Sequence, residues 1–371
     1  MMNSDELWWW LKLKGVPGVG PIRYRLLLNE FGSPRNAFAL SQKELCRAEG
    51  VDEVTASAII RSKNDNSFAD SQLELAKKHG ASVITANDPE FPENLNNFSD
   101  APTLLYVRGS FQPQDRKAVA IVGSRDPSPY GRNVAGNLAL ELGKAGLTIV
   151  SGMARGIDTS AHLGALAAPA RTIAVLGCGV DIAYPFENVK LRDRIAAQGA
   201  VISEYPLGTE PLAGHFPSRN RIITGLSLGL VAVEARADSG VFSSVRWAAD
   251  QGRDVFAVPG PVNSATSQGT NQLIKQGAKL VSSARDILEE LNLEQKISKK
   301  VQELKKTPTA PAPKLDEAEE NLYNTLTPEP LHIDSLADIA NLKSPELIKA
   351  LLSLELKGLV KQLPGKMFIR T

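Results

Sequence analysis

Residues 118–163 read AVAIVGSRDPSPYGRNVAGNLALELGKAGLTIVSGMARGIDTSAHL, and this stretch decides the fold of the chain. Two apolar runs, Ala118–Val122 and Leu147–Val150, are separated by a helical pattern from about Pro129 to Lys144. Apolar strands of this length are buried on both faces, and strands that alternate with helices form a parallel sheet through right-handed crossovers. Another helix is predicted from about Asp158. The stretch therefore predicts a Rossmann-like α/β domain.

Both strands of this stretch end in turns suited to an anion. Gly123-Ser124-Arg125 follows the first strand, and Ser151-Gly152 follows the second. Ligands collect at the carboxyl ends of parallel strands, where backbone N–H groups and the helix dipole favour negative charge. Arg125 adds a planar fork for phosphate, and Asp158 is expected to cap the second helix. Either turn alone could be an ordinary connection, but the two together favour an anion site.

A third candidate is the segment from His215 to Arg221, which reads HFPSRNR. Arg219 and Arg221 flank Asn220 in the first turn of a predicted helix, where cations oppose the dipole and do not serve helix stability. Arginines beside an aromatic ring suit a nucleic-acid strand, with guanidinium groups on phosphates and a base stacked on Phe216. The alternative interpretation is a core Phe216 with solvated arginines.

Composition and patterning predict two or three domains in the 371 residues. Helical patterns fill the first part, and the sheet pattern is extended at one end by short strands near residues 82–85 and 103–107. A run of Lys, Pro, Ala and Thr reads as an extended tether. The predicted parts are a SAM-like or helix-hairpin-helix domain, an extended Rossmann-fold domain, a Pro/Ala/Lys linker and a winged-helix-like domain, at residues 1–80, 81–295, 296–315 and 316–371.

Both terminal domains leave two interpretations open. The hairpin Val16–Pro21 could bind duplex phosphates with help from Arg23 and Arg25, but the lack of a larger basic cluster favours a packing module. In the winged-helix-like domain, the charges of the third helix cancel, whereas a helix that reads DNA presents several cationic or amide groups. A docking or accessory role is favoured over sequence reading for this domain.

Charge and cysteine usage restrict the class of protein. The formal net charge is +1, so any nucleic-acid contact must come from a local patch. The two cysteines form no CxxC pair, which suits a reducing cytoplasm. The sequence contains no apolar run of transmembrane length and no signal-peptide layout, so we expect a cytoplasmic protein without membrane association.

Several enzyme signatures are absent from the sequence. It contains no GxxxxGK[ST], and its first sheet strand ends in Gly-Ser-Arg instead of GxGxxG. Gly225–Gly229 matches G-x-S-x-G, but it follows a predicted helix and precedes a strand, the reverse of a nucleophile elbow. The four histidines are scattered without metal spacing. We therefore predict no catalytic residues, no cofactor and no metal.

The chain resembles the DprA/Smf family (DNA-processing protein A) over nearly its whole length. The resemblance rests on ordered motifs, which are Val122-Gly123-Ser124-Arg125, Ser151-Gly152-x-Ala154-x-Gly156-Ile157-Asp158, Leu176-Gly177-x-Gly179-x-Asp181-x-x-Tyr184-Pro185, Ser203-Glu204-Tyr205-Pro206, Phe216-Pro217-x-Arg219-Asn220-Arg221 and Gly269-x-Asn271-x-Leu273-Ile274.

The resemblance implies a homodimer, formed through the Rossmann domain, that binds and protects single-stranded DNA and loads a RecA-type recombinase in natural transformation. It places the strand on the Gly-Ser-Arg loop and on a groove near Arg219-Asn220-Arg221, so that both arginines extend a phosphate track from Arg125. Ser239-Gly240 preserves a turn of the family, but the residues that follow depart from its usual Ser-Leu-Ile-Thr and leave the lining of the groove in doubt.

Two other classes remain as alternatives. One is a nucleotide-processing Rossmann hydrolase of the lysine-decarboxylase-like phosphoribohydrolase type, with Glu204 or Glu234 as conceivable acids. Where that group has its PGGxGT loop, this chain offers only Pro259-Gly260-Pro261 and a distant Gly269-Thr270. The other class is a scaffold protein that neither binds DNA nor turns over a substrate.

Overall fold

The structure, a computed structural model, describes residues 4–293, 315–326, 331–340, 342, 344–357, 359–363 and 365–370. The chain divides into two compact units, Met1–Ile297 and Ser298–Thr371. The predicted linker lies outside the described residues except for Leu315. The predicted boundary between residues 80 and 81 falls within the first unit, between its last N-terminal helix and its first strand.

Six helices begin the first unit and pack around a core of their own. Trp10 is fully buried and stacks on Tyr24, with ring centroids 5.5 Å apart. The Tyr24 hydroxyl donates a 2.9 Å hydrogen bond to the Trp10 carbonyl, which satisfies the buried phenol. The helices are α1 (Ser4–Lys14), α2 (Pro21–Phe31), α3 (Pro34–Ala39), α4 (Gln42–Leu45), α5 (Glu53–Arg61) and α6 (Ser67–His79).

The two arginines near the Val16–Pro21 hairpin are engaged within the protein. Arg23 donates to the carbonyls of Gly18 and Gly50, each at 3.0 Å, and so joins two turns of the helical region. Arg25 donates to the carbonyl of Ala101 at 3.1 Å, just before the second strand of the sheet. These contacts favour the packing interpretation, because the guanidinium groups bind backbone carbonyls of the same unit.

A nine-stranded sheet forms the centre of this unit, as the apolar runs predict. Its order is β1-β2-β6-β5-β4-β3-β7-β8-β9, in which the pairs β1–β2 and β2–β6 are antiparallel and every other pair is parallel. The strands are β1 (Ser82–Thr85), β2 (Leu104–Gly109), β3 (Ala118–Gly123), β4 (Thr148–Ser151), β5 (Thr172–Val175), β6 (Ala200–Ser203), β7 (Gly229–Val233), β8 (Asp254–Ala257) and β9 (Lys279–Leu280).

Helices cover both faces of the sheet. Along β3, Ala120 and Val122 belong to the core under one helix layer, whereas Val119 and Ile121 belong to the core under the other. This alternation has the two-residue period of a strand buried on both faces. The helices are α7 (Pro129–Lys144), α8 (Ile157–Ala167), α9 (Val189–Gln198), α10 (His215–Leu226), α11 (Val241–Asp250), α12 (Gln268–Lys275) and α13 (Ala284–Glu290).

The strand order reverses at β3, because β4, β5 and β6 lie on one side of it and β7, β8 and β9 on the other. In open α/β sheets, ligands bind in the crevice at such a reversal, outside the carboxyl ends of the strands. The G-x-S-x-G match spans the end of α10 and the start of β7. The reversed order of elements that the sequence predicts for this match is confirmed.

The described residues of the second unit form three helices and a small sheet around a core that includes Leu322, Leu336 and Leu354. The small sheet has three strands in the order β10-β12-β11. Its elements are α14 (Glu317–Thr325), β10 (Leu331–His332), α15 (Ile333–Ala340), α16 (Ser344–Leu356), β11 (Val360–Leu363) and β12 (Met367–Arg370).

Candidate functional site

A cleft of 680 Å³ opens at the carboxyl ends of β3 and β7, where the strand order reverses. It brings together residues that the sequence singles out from three separate segments. Those on its lining are Gly123, Ser124, Arg125, Phe216, Arg219, Asn220, Ser239 and Gly240. Three predicted site residues are not on the lining, namely Ser151, Gly152 and Arg221.

Residues 123–128, which we call the open turn, form one edge of the cleft. The N–H of Ser124 donates to the Glu234 carbonyl at 2.8 Å, so this amide does not serve the anion that the sequence predicts at the turn. The Ser124 hydroxyl oxygen accepts from the Asp126 N–H at 3.1 Å. A Cβ on Gly123 would lie 1.9 Å from the Val233 carbonyl oxygen. This glycine therefore permits close strand packing, and the groups left for a ligand at the turn are its side chains and the Arg125 N–H.

Glu234 fixes the far end of the open turn. Its carboxylate accepts hydrogen bonds from the N–H and the hydroxyl of Ser128, at 2.8 and 2.5 Å. Ser128 in turn caps α7 by accepting from the Gly131 N–H at 3.1 Å. Glu234 is 4% exposed and is not on the cleft lining. It acts as a structural acceptor, which removes one of the two acids of the hydrolase alternative.

Arg125 and two aromatic rings form a group at the cleft. The Arg125 side chain is exposed, and its guanidinium carbon lies 5.4 Å from the Phe216 ring centroid. Phe216 is half-buried and contacts the Tyr184 ring at a centroid distance of 5.5 Å with a 30° tilt. Within the described ranges, Arg125 forms no salt bridge with a carboxylate. A cation over an aromatic face beside a second ring can hold a phosphate and a stacked base.

Residues 151–158, which we call the closed turn, follow the neighbouring strand β4. The Asp158 carboxylate accepts from the N–H groups of Gly152 and Ala154, at 3.1 and 3.2 Å. The buried Ser151 hydroxyl donates to the Ile121 carbonyl at 2.6 Å. Gly156 lies at the N-cap of α8, so the prediction that Asp158 caps this helix is wrong. An internal carboxylate thus fills the place where the sequence predicts an external anion.

Arg219 lies between the closed turn and the cleft. It is 5% exposed and donates to the carbonyls of Gly152, at 2.9 Å, and Val175. Burial lowers the pKa of Arg219 to about 10, and the nearby Asp158 carboxylate opposes that shift. A Cβ on Gly152 would come within 2.7 Å of the Arg219 guanidinium. The guanidinium therefore links the ends of β4 and β5 through their carbonyls. Arg219 also belongs to the cleft lining, but its hydrogen bonds are made within the protein.

Arg221 is directed to a different part of the unit. Its side chain is 8% exposed and forms a 2.5 Å ion pair with Glu204, with Asp100 at 3.8 Å. The prediction that Arg221 extends a phosphate track from Arg125 does not agree with this placement, because residues two apart on a helix do not share a face. The contact also occupies Glu204, the second acid of the hydrolase alternative.

The remaining wall of the cleft comes from the segment after β7. The Ser239 hydroxyl accepts from the Val241 N–H at 3.3 Å, and Val241 lines the cleft although it departs from the family pattern. Sequence reasoning missed four charged or aromatic lining residues, and for three of them a charged residue shortly after a strand was the available signal. They are Asp126, Tyr184, Arg236 and Asp238. Counting these, the lining carries three arginines and three aspartates, so it is balanced in charge instead of strongly basic.

One of the four histidines, His162, is enclosed in the core of the first unit. His162 is fully buried, its Nδ1 lies 2.7 Å from the Thr172 hydroxyl, and burial lowers its pKa to about 3. The Thr172 hydroxyl donates to the Ile149 carbonyl, so it accepts from a neutral His162 protonated on Nδ1. Within the described part of the chain, no three His, Cys, Asp or Glu side chains could hold a metal ion. Among the same residues, no helix has the length and apolarity to cross a membrane.

Comparison with known proteins gives consistent matches. The family model of DNA recombination-mediator protein A matches residues 82–292, and the DprA winged helix domain model matches residues 306–366. Protein Smf of Synechocystis is 32% identical over 100% of both chains, and Protein Smf of Escherichia coli is 39% identical over 71% of each.

Solved structures agree with these matches. DNA processing protein A from Streptococcus pneumoniae superimposes with a TM-score of 0.68 at 33% identity, over 78% of this chain and 98% of that one. The Helicobacter pylori protein, whose structure is described for its single-stranded DNA binding mode, gives a TM-score of 0.52 at 33% identity over 58% and 96%. The chain belongs to the DNA recombination-mediator protein A family, also named DprA/Smf.

Proposed function

We propose that the cleft binds single-stranded DNA without breaking a bond, as part of DNA recombination. The observation that carries this proposal is the exposed Arg125 guanidinium, 5.4 Å from the Phe216 ring at the edge of an open cleft. A phosphate bound by Arg125 places the adjoining base next to the Phe216 face. Base stacking on an aromatic side chain contributes about 1–3 kcal/mol per base and tolerates every base type.

The open turn supplies the remaining contacts for the phosphate. In the described part of the chain, the backbone N–H of Arg125 donates to no protein acceptor. The Ser124 hydroxyl can donate to an anion while its oxygen accepts from Asp126. Asn220, Ser239 and Gly240 provide the opposite wall, where the start of α11 favours negative charge. The solved structure of the Helicobacter pylori protein is described for its single-stranded DNA binding mode, which supports this assignment.

The balanced charge of the cleft has a consequence for affinity. With three arginines and three aspartates on the lining, long-range attraction of DNA is weak. A dimer joined through the sheet-containing unit would present two clefts to one strand, and its second contact would be intramolecular. We therefore propose a homodimer, and a RecA-type recombinase as the partner that receives the strand.

A salt titration of oligonucleotide binding tests the proposal. Arg125→Ala should weaken binding of all single-stranded sequences alike, and should flatten the slope of log K against log salt by about 0.7 for the lost phosphate contact. Arg116→Ala is the matched control, because Arg116 is exposed and pairs with Glu93 away from the cleft. Duplex of the same length should bind less tightly than the single strand.

Two outcomes would overturn the proposal. One is an Arg125→Ala protein whose affinity and salt slope equal those of the Arg116→Ala control. The other is release of free base from nucleoside monophosphates, which would favour the hydrolase alternative. The buried hydrogen bonds of Glu204 and Glu234 argue against that outcome.

A further inference from the structure

Two exposed aromatic side chains lie two residues apart in the loop after β5. Tyr184, 42% exposed, lines the cleft and contacts the Phe216 ring. Phe186, two residues further on, is 82% exposed and is not on the cleft lining. One ring thus belongs to the cleft lining, and the other follows it along the chain outside that lining.

This loop is firmly attached to the closed turn. The buried Asn188 side chain donates to the Met153 carbonyl at 3.0 Å and to the Thr159 hydroxyl at 2.9 Å. The attachment brings Glu187 of the loop against Arg155 of the closed turn, where the two side chains form a hydrogen-bonded ion pair. Both partners are at least half exposed, so a ligand can reach either one from solvent.

We propose that Tyr184, Phe186 and Arg155 form a second subsite, on which a DNA single strand continues out of the cleft. In this subsite a phosphate displaces the Glu187 carboxylate from Arg155, and a base stacks on Phe186. The inference rests on the proposed function, because the strand that leaves the cleft is the occupant.

Continuity with the cleft identifies the occupant. Ala154 and Tyr184 both line the cleft, and Arg155 and Phe186 lie one and two residues beyond them. An alternation of rings and guanidinium groups, from Phe216 and Arg125 to Phe186 and Arg155, is the arrangement that binds a single strand without sequence preference. Exposed ion pairs are weak and are screened by salt, so a phosphate can compete with Glu187.

The pairing of Arg155 with an acid leads to an unusual expectation, which is that removing an acid strengthens binding. Glu187→Gln should tighten binding of long single strands about two- to five-fold, since the competing ion pair is lost. It should also steepen the salt slope by about 0.7. Glu289→Gln is the matched control, because it makes the same charge change in an exposed pair with Arg285 on α13.

Two further variants locate the effect. Arg155→Ala should weaken binding of long strands, and Glu187→Gln added to it should gain no more than Glu289→Gln does. Phe186→Ala should weaken binding about five-fold or more through the lost stacking. Thermal unfolding midpoints are measured for each variant, and Phe186→Leu replaces Phe186→Ala if the latter unfolds early.

A length series separates this subsite from the cleft. With oligothymidines of about 4 to 16 nucleotides, the shortest strands should bind all these variants like the wild type, and the losses should grow with length. The second subsite is overturned if Glu187→Gln binds no tighter than Glu289→Gln, or if Phe186→Ala weakens short and long strands equally. If Arg125→Ala loses binding while either of these results is found, only the second subsite is rejected. The proposal that the cleft binds single-stranded DNA then still holds. A wild type that binds no single strand rejects the proposed function itself.

Discussion

The open turn after β3 and the closed turn after β4 end adjacent parallel strands with similar residues, yet they differ in what they can bind. In the open turn, Arg125 faces the cleft. In the closed turn, the amides of Gly152 and Ala154 are occupied by Asp158 of the same chain. Of these two Gly-rich strand ends, one is thus occupied by a carboxylate of the protein itself, and the other is the turn to which the proposed function assigns an external anion.

The arginines next to the two turns differ in the same way. Arg219, beside the closed turn, is buried and binds strand-end carbonyls, whereas Arg125 in the open turn is exposed beside Phe216. Buried cations contribute mainly to the fold, since removing one leaves its partners unpaired. Exposed cations contribute mainly to binding. Within one pair of strand ends, one arginine is thus part of the fold, and the other is the one to which the proposed function assigns binding.

The largest expected difference in stability is between substitutions of the two arginines. Arg219→Met should lower the free energy of unfolding by about 3–5 kcal/mol, because the Asp158 charge and the Gly152 and Val175 carbonyls lose their buried partner. Arg125→Met should change it by no more than about 1 kcal/mol, the size of an exposed cation–π contact. Urea unfolding followed by circular dichroism measures both, and equal small losses would contradict a structural role for Arg219.

A somewhat smaller difference in stability is expected between substitutions of Asp158 and Asp126. Asp158→Ala leaves the Gly152 and Ala154 amides without an acceptor and should destabilise the protein by about 2–4 kcal/mol. Asp126→Ala, the matched control in the open turn, should stay within about 0.5 kcal/mol, because the Asp126 side chain is exposed.

Added sulfate makes the test of Asp158 sharper. If the closed turn is an anion site filled by its own carboxylate, sulfate should bind in Asp158→Ala and raise its thermal midpoint more than that of the wild type or of Asp126→Ala. The general salting effect of sulfate is common to all three proteins and cancels in the comparison. Identical sulfate responses would show that Asp158 serves packing alone.

The strand ends could be predicted from the sequence because burial on both faces leaves a clear apolar signal. Ala118–Val122 and Leu147–Val150 alternate with helical patterns, and the structure has β3, β4 and the helix between them there. The reversal at β3 could not be predicted, since local sequence does not determine which strands pair across the sheet. That reversal places Gly240 and Ser239 opposite Arg125.

The side-chain roles were harder to predict than the elements. Arg219 and Arg221 are two residues apart in the same motif, but one lies under the cleft and the other pairs with Glu204. Their separation depends on where α10 begins, and the helix starts at His215, a full turn earlier than the arginines suggest. Asp158 presented the same difficulty, because an acid at the start of a helix is typical of a cap, and only the three-dimensional turn shows it bonded to Gly152.

The smallest expected effect concerns the two serines that follow β3 and end β4. Ser151→Ala should cost about 1 kcal/mol of stability, because the hydroxyl donates to the Ile121 carbonyl in the buried sheet. Ser124→Ala should leave stability nearly unchanged, since its oxygen accepts only from the neighbouring Asp126 N–H at the edge of the cleft. Binding should show the opposite order, with a modest loss for Ser124→Ala and none for Ser151→Ala. Urea unfolding and oligonucleotide titration on the same samples measure the two quantities, and a binding loss confined to Ser151→Ala would mean that the closed turn opens to DNA after all.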